Sequence, residues 1–143
     1  MKGLQLLVPL FMVVLISSCT KNDYEDANKF VGTYSVSATE FVTWGGSSGT
    51  LSNSGILSIT KISRNRVQTR GFFSTQGTVS GTSLYLEGFN TSDESGYIAY
   101  SFSSAVLSGN VITLTMYGTG KLGENGYYYP FRLTSNITAV RIN

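Results

Sequence analysis

Histidine, the side chain that most often serves as general base and metal ligand, does not occur in this chain, and cysteine occurs once, at Cys19. Beyond an apolar leader the carboxylates are Asp23, Glu25, Asp26, Glu40, Glu87, Asp93, Glu94 and Glu124. The first three fall in one polar run and Asp93-Glu94 in a turn signal, where like charges stay apart in water. Glu40 and Glu87 could meet across strands as the acid and base of a glycoside hydrolase. The plainer reading leaves them as isolated acids on wet strand faces. No acidic loop has the spacing of a calcium site. Serines are numerous, but none reads as the nucleophile of a Gly-x-Ser-x-Gly elbow; a Ser-Lys dyad stays open, with no local pattern to suggest one. The expectation is a protein that is not an enzyme, holds no metal and needs no cofactor.

Aromatic side chains offer recognition instead. Tyr34, Tyr100, Phe102, Tyr129 and Phe131 fall on strand faces able to point inward, as ordinary core or as the lining of a ligand site. Trp44, the single tryptophan, stands in the Gly/Ser stretch Trp44-Gly45-Gly46-Ser47-Ser48-Gly49. An indole in such a loop is costly to expose unless it packs on a rim or meets something. It can pack back on the domain, stack on a sugar face or cover an apolar ligand.

Cys19 has its own context. Met1-Lys2 is a short basic start, Leu4 to Ile16 is apolar apart from Gln5 and Pro9, and small residues Ser17 and Ser18 precede the cysteine. This is the three-part pattern of a secretory leader, too short for a comfortable membrane span of about 20 residues. The run Ile16-Ser17-Ser18-Cys19 resembles a bacterial lipobox, which implies cleavage after residue 18 and acylation of Cys19. Two or more acyl chains give stable anchoring, so the resemblance implies a membrane-attached protein with no spanning segment. Residues 1–18 then form a signal peptide and 19–27 a flexible, polar tether. Lys21 with Asp23, Glu25 and Asp26 resembles the lysine-plus-acids export signal of Bacteroidetes surface lipoproteins, with Asn22 breaking the strict order. The implied address is the outer membrane, on its periplasmic or its cell-surface face.

Removal of residues 1–18 leaves a chain long enough for one domain, which residues 28–143 form, burying roughly 65% of the unfolded chain's surface without disulfides. Loss of Lys2 leaves nine basic and eight acidic groups, a net of +1. That balance argues against nucleic acid, which demands a basic face; Arg64, Arg66 and Arg70 read as the solvent side of one strand. Abundant Gly, Ser and Thr with scarce Pro and little helical periodicity give an all-β profile.

Alternation of side chains places the strands. Phe30 to Phe41 comes first, with Phe30, Gly32, Tyr34 and Val36 on one face. Gly55 to Ile62 and Arg66 to Phe73 follow. Val79-Ser80-Gly81-Thr82-Ser83-Leu84 and Leu107-Ser108-Gly109-Asn110-Val111-Ile112 each read as strand, Gly-centred turn, strand. Tyr97 to Ser104, Val111 to Tyr117, Tyr127 to Leu133 and Ile137 to Ile142 complete eight or nine antiparallel strands. Pro130 marks an edge, a bulge or a strand start. An up-and-down meander of about eight strands closes into a barrel that is filled by side chains or holds one small ligand; a β-sandwich is the alternative.

Asn28-Lys29-Phe30-Val31-Gly32-Thr33-Tyr34 resembles the first strand of lipocalin-like proteins, with glycine two residues before an aromatic, here Tyr34 where lipocalins place tryptophan. The resemblance implies a late arginine packed on that aromatic. Arg132 and Arg141 are available; parity sets Arg132 opposite Phe131 and Leu133, and Val140 and Ile142 compete with Arg141 for the inner face. It further implies a lipid-anchored module for a small apolar or amphiphilic molecule. A surface module with a filled barrel, meeting glycan or protein, is the other reading.

Overall fold

The computed structural model of the protein describes residues 26–124 and 126–143. The leader, Cys19 and tether residues 19–25 lie outside the described residues. A 3-10 turn, Ala27–Lys29, precedes ten strands: β1 (Gly32–Trp44), β2 (Ser47–Ser63), β3 (Arg66–Gly71), β4 (Gln76–Ser80), β5 (Ser83–Leu86), β6 (Phe89–Asp93), β7 (Gly96–Phe102), β8 (Ala105–Ser108), β9 (Val111–Glu124) and β10 (Tyr127–Arg141). They form one antiparallel sheet in which β10 pairs with both β9 and β1, so the sheet closes.

The ten segments make eight staves. β5 and β6 face β8 and β7 in a single register, Ser83 opposite Val106 and Phe89 opposite Tyr100, so each pair is one bent strand of one long hairpin. Both β7 and β8 lie on the same edge of β9. Between them the register slips by one residue: Phe102 faces Met116, but Val106 faces Thr113. Ser103 absorbs the slip. Its N–H donates to Thr115 O at 2.8 Å, and its Oγ accepts from Thr115 N at 2.8 Å. A bulge of this kind bends a strand and strengthens its twist. The result is the sequential eight-stranded ring that alternation predicts, not a sandwich.

Several local expectations change. The Gly/Ser stretch after Trp44 is no loop. Gly45 and Gly46, at φ 56° and 85°, form a two-residue hairpin that only glycine takes easily, and Trp44 faces Ser47 across it. Trp44 therefore ends β1. The last two expected strands are one, because buried Ser135, between Thr134 and Asn136, keeps the alternation from Leu133 to Ile137 going. Pro130 sits in β10 beyond Phe131, the last residue paired with β1, so its β1-side edge is free. Asp26 and Ala27, assigned to the tether by sequence, belong to the packed fold. Ala27 is fully buried and its N–H donates to Arg64 O at 2.9 Å, while Asp26 caps the turn through Asn28 N at 2.9 Å.

One end of the barrel is closed and filled. Phe30, Val36, Leu57, Ile59, Val67, Val79, Leu84 and Ile112 are at most 2% exposed there, and each such side chain stabilises by about 1.5–3 kcal/mol relative to exposure. Tyr34 and Arg141 lock this end. Arg141 Nε and Nη2 donate to Tyr34 Oη at 3.1 and 2.7 Å, the guanidinium lies 5.3 Å from the Tyr34 ring centroid, and Nη2 also donates to Lys29 O. Tyr34 in turn donates to Phe30 O at 2.8 Å. Arg141, not Arg132, thus occupies the place implied by the lipocalin resemblance. Val140 and Ile142 do not compete: both are largely exposed, since inward parity runs Ile137, Ala139, Arg141.

The other end is open. β3 stops at Gly71, facing Leu57, and β4 starts only at Gln76. β2 residues 47–55 therefore pair with β1 alone, and β6 pairs with β7 alone. The segment between β3 and β4 turns inward between these two free edges. Thr69 and Thr75 tie it shut: Thr69 N and Oγ1 donate to Thr75 O at 2.8 and 3.0 Å, and Thr75 N donates to Thr69 Oγ1 at 2.9 Å.

Candidate functional site: a cleft in the open half of the barrel

A cleft of about 590 Å³ lies where the ring parts. This is the size of a small-molecule site. Inward parity supplies its walls: Glu40 and Val42 from β1, Leu51 and Asn53 from β2, Phe89 and Thr91 from β6, Tyr100 from β7, Met116 from β9, Phe131 and Leu133 from β10. The inward segment adds Phe72, Phe73 and Ser74. Its path depends on Gly71, which takes φ 106° and approaches the Ile56 carbonyl so closely that a Cβ would collide with it.

Aromatic rings form one bank of the cleft. Phe89 stacks on Tyr100 with centroids 4.7 Å apart, Phe102 lies 6.1 Å from Phe89 and 5.0 Å from Phe73, and Phe73 meets Phe72 edge-on at 6.3 Å. Burial pushes the Tyr100 hydroxyl above its ordinary value of 10.0, a hydrogen bond with Thr91 partly offsets this, and the Glu40 charge adds to the rise. Tyr100 is therefore neutral at physiological pH and available as a donor.

The carboxylate of Glu40 was assigned to a wet strand face by sequence. It faces inward. Val36, Ala38, Glu40 and Val42 alternate along β1, so the parity that places Tyr34 also places Glu40. Its Oε1 accepts one long hydrogen bond, 3.4 Å, from the fully buried Ser135 Oγ. Glu87 is elsewhere engaged, 2.6 Å from Arg66 Nη2, so the two acids are not a hydrolytic pair. Ser47 has Gly-x-Ser-x-Gly spacing in Gly45-Gly46-Ser47-Ser48-Gly49, which sequence reasoning passed over. It opens a strand of a hairpin rather than the strand-to-helix elbow that such a nucleophile needs. Among the described residues no three His, Cys, Asp or Glu side chains gather as for a metal.

The six aromatic candidates separate by position. Tyr100 and Phe131 line the cleft, and Phe102 packs behind Phe89. Trp44 and Tyr129 form the rim: their rings meet edge-on at 6.4 Å, and Trp44 Nε1 donates to Leu122 O at 3.4 Å. Tyr34 does not belong to this set. It is fully buried in the closed end, eight positions before Val42, about 26 Å along the strand. Leu51, Phe72, Phe73, Phe89 and Met116 complete the lining and were missed as site residues. Alternation aligns Phe73 with Val67 and Met116 with Leu114, but Leu51 lies in a Ser-rich stretch and Phe72 turns inward only because of the Gly71 backbone, so alternation alone carries no signal for these two.

No family model matches the chain, and no curated protein matches it. Among solved structures it is similar to the S-type phycobiliprotein lyase CPES from Guillardia theta, at 9% identity over 81% of this chain and 90% of that one, with a TM-score of 0.32. At that level nothing about ligand or activity passes to this chain.

Proposed function

We propose that this protein is a lipid-anchored binding module of the cell envelope that takes one small apolar or amphiphilic molecule into the open half of its barrel. The observation that carries this is the cleft: an aromatic-walled, largely apolar space of about 590 Å³, opening between two unpaired strand edges, in a barrel whose other half is solidly packed. Such a space leaves apolar surface in contact with water that a ligand would cover. A binding role, not catalysis, fits a cleft whose only carboxylate is Glu40 and a chain without histidine. Anchoring rests on the leader and Cys19, and with it the outer-membrane address.

Titration of the mature chain, residues 19–143 without lipid, with the neutral dye N-phenyl-1-naphthylamine tests the binding reading. The dye brightens in apolar surroundings, and binding is expected to saturate at one dye per chain. Val42→Trp fills the cleft and is expected to abolish saturation while far-UV circular dichroism is unchanged. A non-saturating response, or equal binding by Val42→Trp, overturns the reading. For the anchor, mass spectrometry of the membrane fraction is expected to show an acylated N-terminal Cys19, and an intact Met1 terminus contradicts it.

A surface role has one observation in its favour. Tyr127 and Tyr128 are 69% and 59% exposed beside the Trp44–Tyr129 rim, an aromatic tip suited to stacking on a glycan. Quenching or shift of Trp44 fluorescence by a neutral oligosaccharide, lost in Tyr127→Ala with Tyr128→Ala, is the result expected of that reading.

A further inference from the structure

We propose that the cleft selects a cationic amphiphile, an ammonium or guanidinium head on an apolar body, through Glu40. This rests on the small-ligand reading and narrows it to a chemical class. Glu40 is the single charged side chain in the lining. Among the described residues its carboxylate meets no cation: the ion pairs are Lys61–Asp26 and Arg66–Glu87, and Glu40 has only the 3.4 Å bond from Ser135 Oγ. A half-buried carboxylate in a lining shared with Val42, Met116, Phe131 and Leu133 has given up part of its water for one long hydrogen bond and no counter-charge. A ligand cation completes it, with an attraction that the low-dielectric walls strengthen.

The surrounding chemistry agrees. Phe89 and Tyr100, stacked on each other, both line the same cleft, and aromatic rings with a carboxylate are a means by which cations, including quaternary ammonium groups, are recognised. Tyr100 lies close enough to Glu40 for the carboxylate's charge to act on its hydroxyl. An anionic head at this point would face Glu40 without a counter-charge. The aromatic bank formed by Phe72, Phe73 and Phe89 supplies the wall for the apolar body.

Displacement of bound N-phenyl-1-naphthylamine from the mature chain by decyltrimethylammonium, 1-decanol and decyl sulfate, each below its micelle concentration, tests this. The cation is expected to displace at least about 10-fold more effectively than the anion, with decanol between them. Glu40→Gln keeps the shape and the Ser135 bond, and is expected to bring cation and anion within about 2-fold of each other while leaving decanol unchanged. Equal displacement by cation and anion in the unmodified chain overturns the proposal, as does a preference that survives in Glu40→Gln. If the dye itself does not bind, the small-ligand reading fails first. If the dye and decanol bind but charge makes no difference, the charge selectivity alone fails.

Discussion

Arg141 and Glu40 are both charged side chains at inward positions of the barrel, and they meet opposite fates. Arg141 is spent on structure: its guanidinium holds Tyr34 Oη and Lys29 O and lies over the Tyr34 ring. Hydrogen bonds to a charged group contribute about 1.5–3 kcal/mol, and a shielded cation–π contact adds about 1 kcal/mol. Arg141→Ala is therefore expected to destabilise the fold by about 2–4 kcal/mol, read as a lower urea midpoint with an unchanged m-value. Arg141→Lys recovers little, because an ammonium cannot reproduce the planar fork. Tyr34→Phe removes one donor and the acceptor of Arg141, and is expected to cost about 1–3 kcal/mol. Both residues were half-legible. The lipocalin resemblance implied a late arginine, but apolar neighbours Val140 and Ile142 hid which face Arg141 takes. For Glu40 the parity of Tyr34, Val36 and Ala38 held the answer, and the habit of placing acids in water overrode it.

At the scale of elements, Gly71 separates the closed half from the open one. Its positive φ ends β3, and Phe72 N immediately bonds Ile56 O at 2.8 Å, sending Phe72 and Phe73 under the cleft. Gly71→Ala brings a Cβ against the Ile56 carbonyl in a backbone conformation that alanine resists, and is expected to destabilise by at least about 1–3 kcal/mol. Thermal melting against wild type checks it; no loss of stability would show that the inward turn does not depend on glycine. Strand content was largely legible, since β1, β3, β4, β5, β7, β8 and β9 follow alternating runs. β6 was missed because Phe89-Asn90-Thr91-Ser92-Asp93 carries one large apolar residue and reads as a turn. The N-terminal half of β2 was missed for a related reason: Ser47 to Ser54 carries one large apolar residue, Leu51, is exposed on both faces and is extended only because β1 pairs with it. Those two illegible segments are the free edges that border the cleft.

For the molecule as a whole, the same parting of the ring divides stability. In the closed half every strand has two neighbours and a filled interior; in the open half β2 residues 47–55 and β6 each have one. Opening free energies follow buried contacts and shielded hydrogen bonds. Hydrogen exchange is therefore expected to be slowest in the residues around Val36, Ile59, Ile112 and Ala139 and clearly faster in β6 and residues 47–55. Uniform protection would contradict a two-part barrel. The eight-stave ring was legible from sequential alternation, whereas the cleft was not, because it arises from where β3 ends and not from any residue motif. The central claim is that this cleft, and no other surface, takes the ligand. Methyl NMR of the mature chain titrated with N-phenyl-1-naphthylamine tests it most directly. Saturable shifts are predicted at Val42, Leu51, Met116 and Leu133, with Val36, Ile59 and Ile112 in the packed half unmoved. Shifts confined to the outer face, or spread over the chain without saturation, would contradict it.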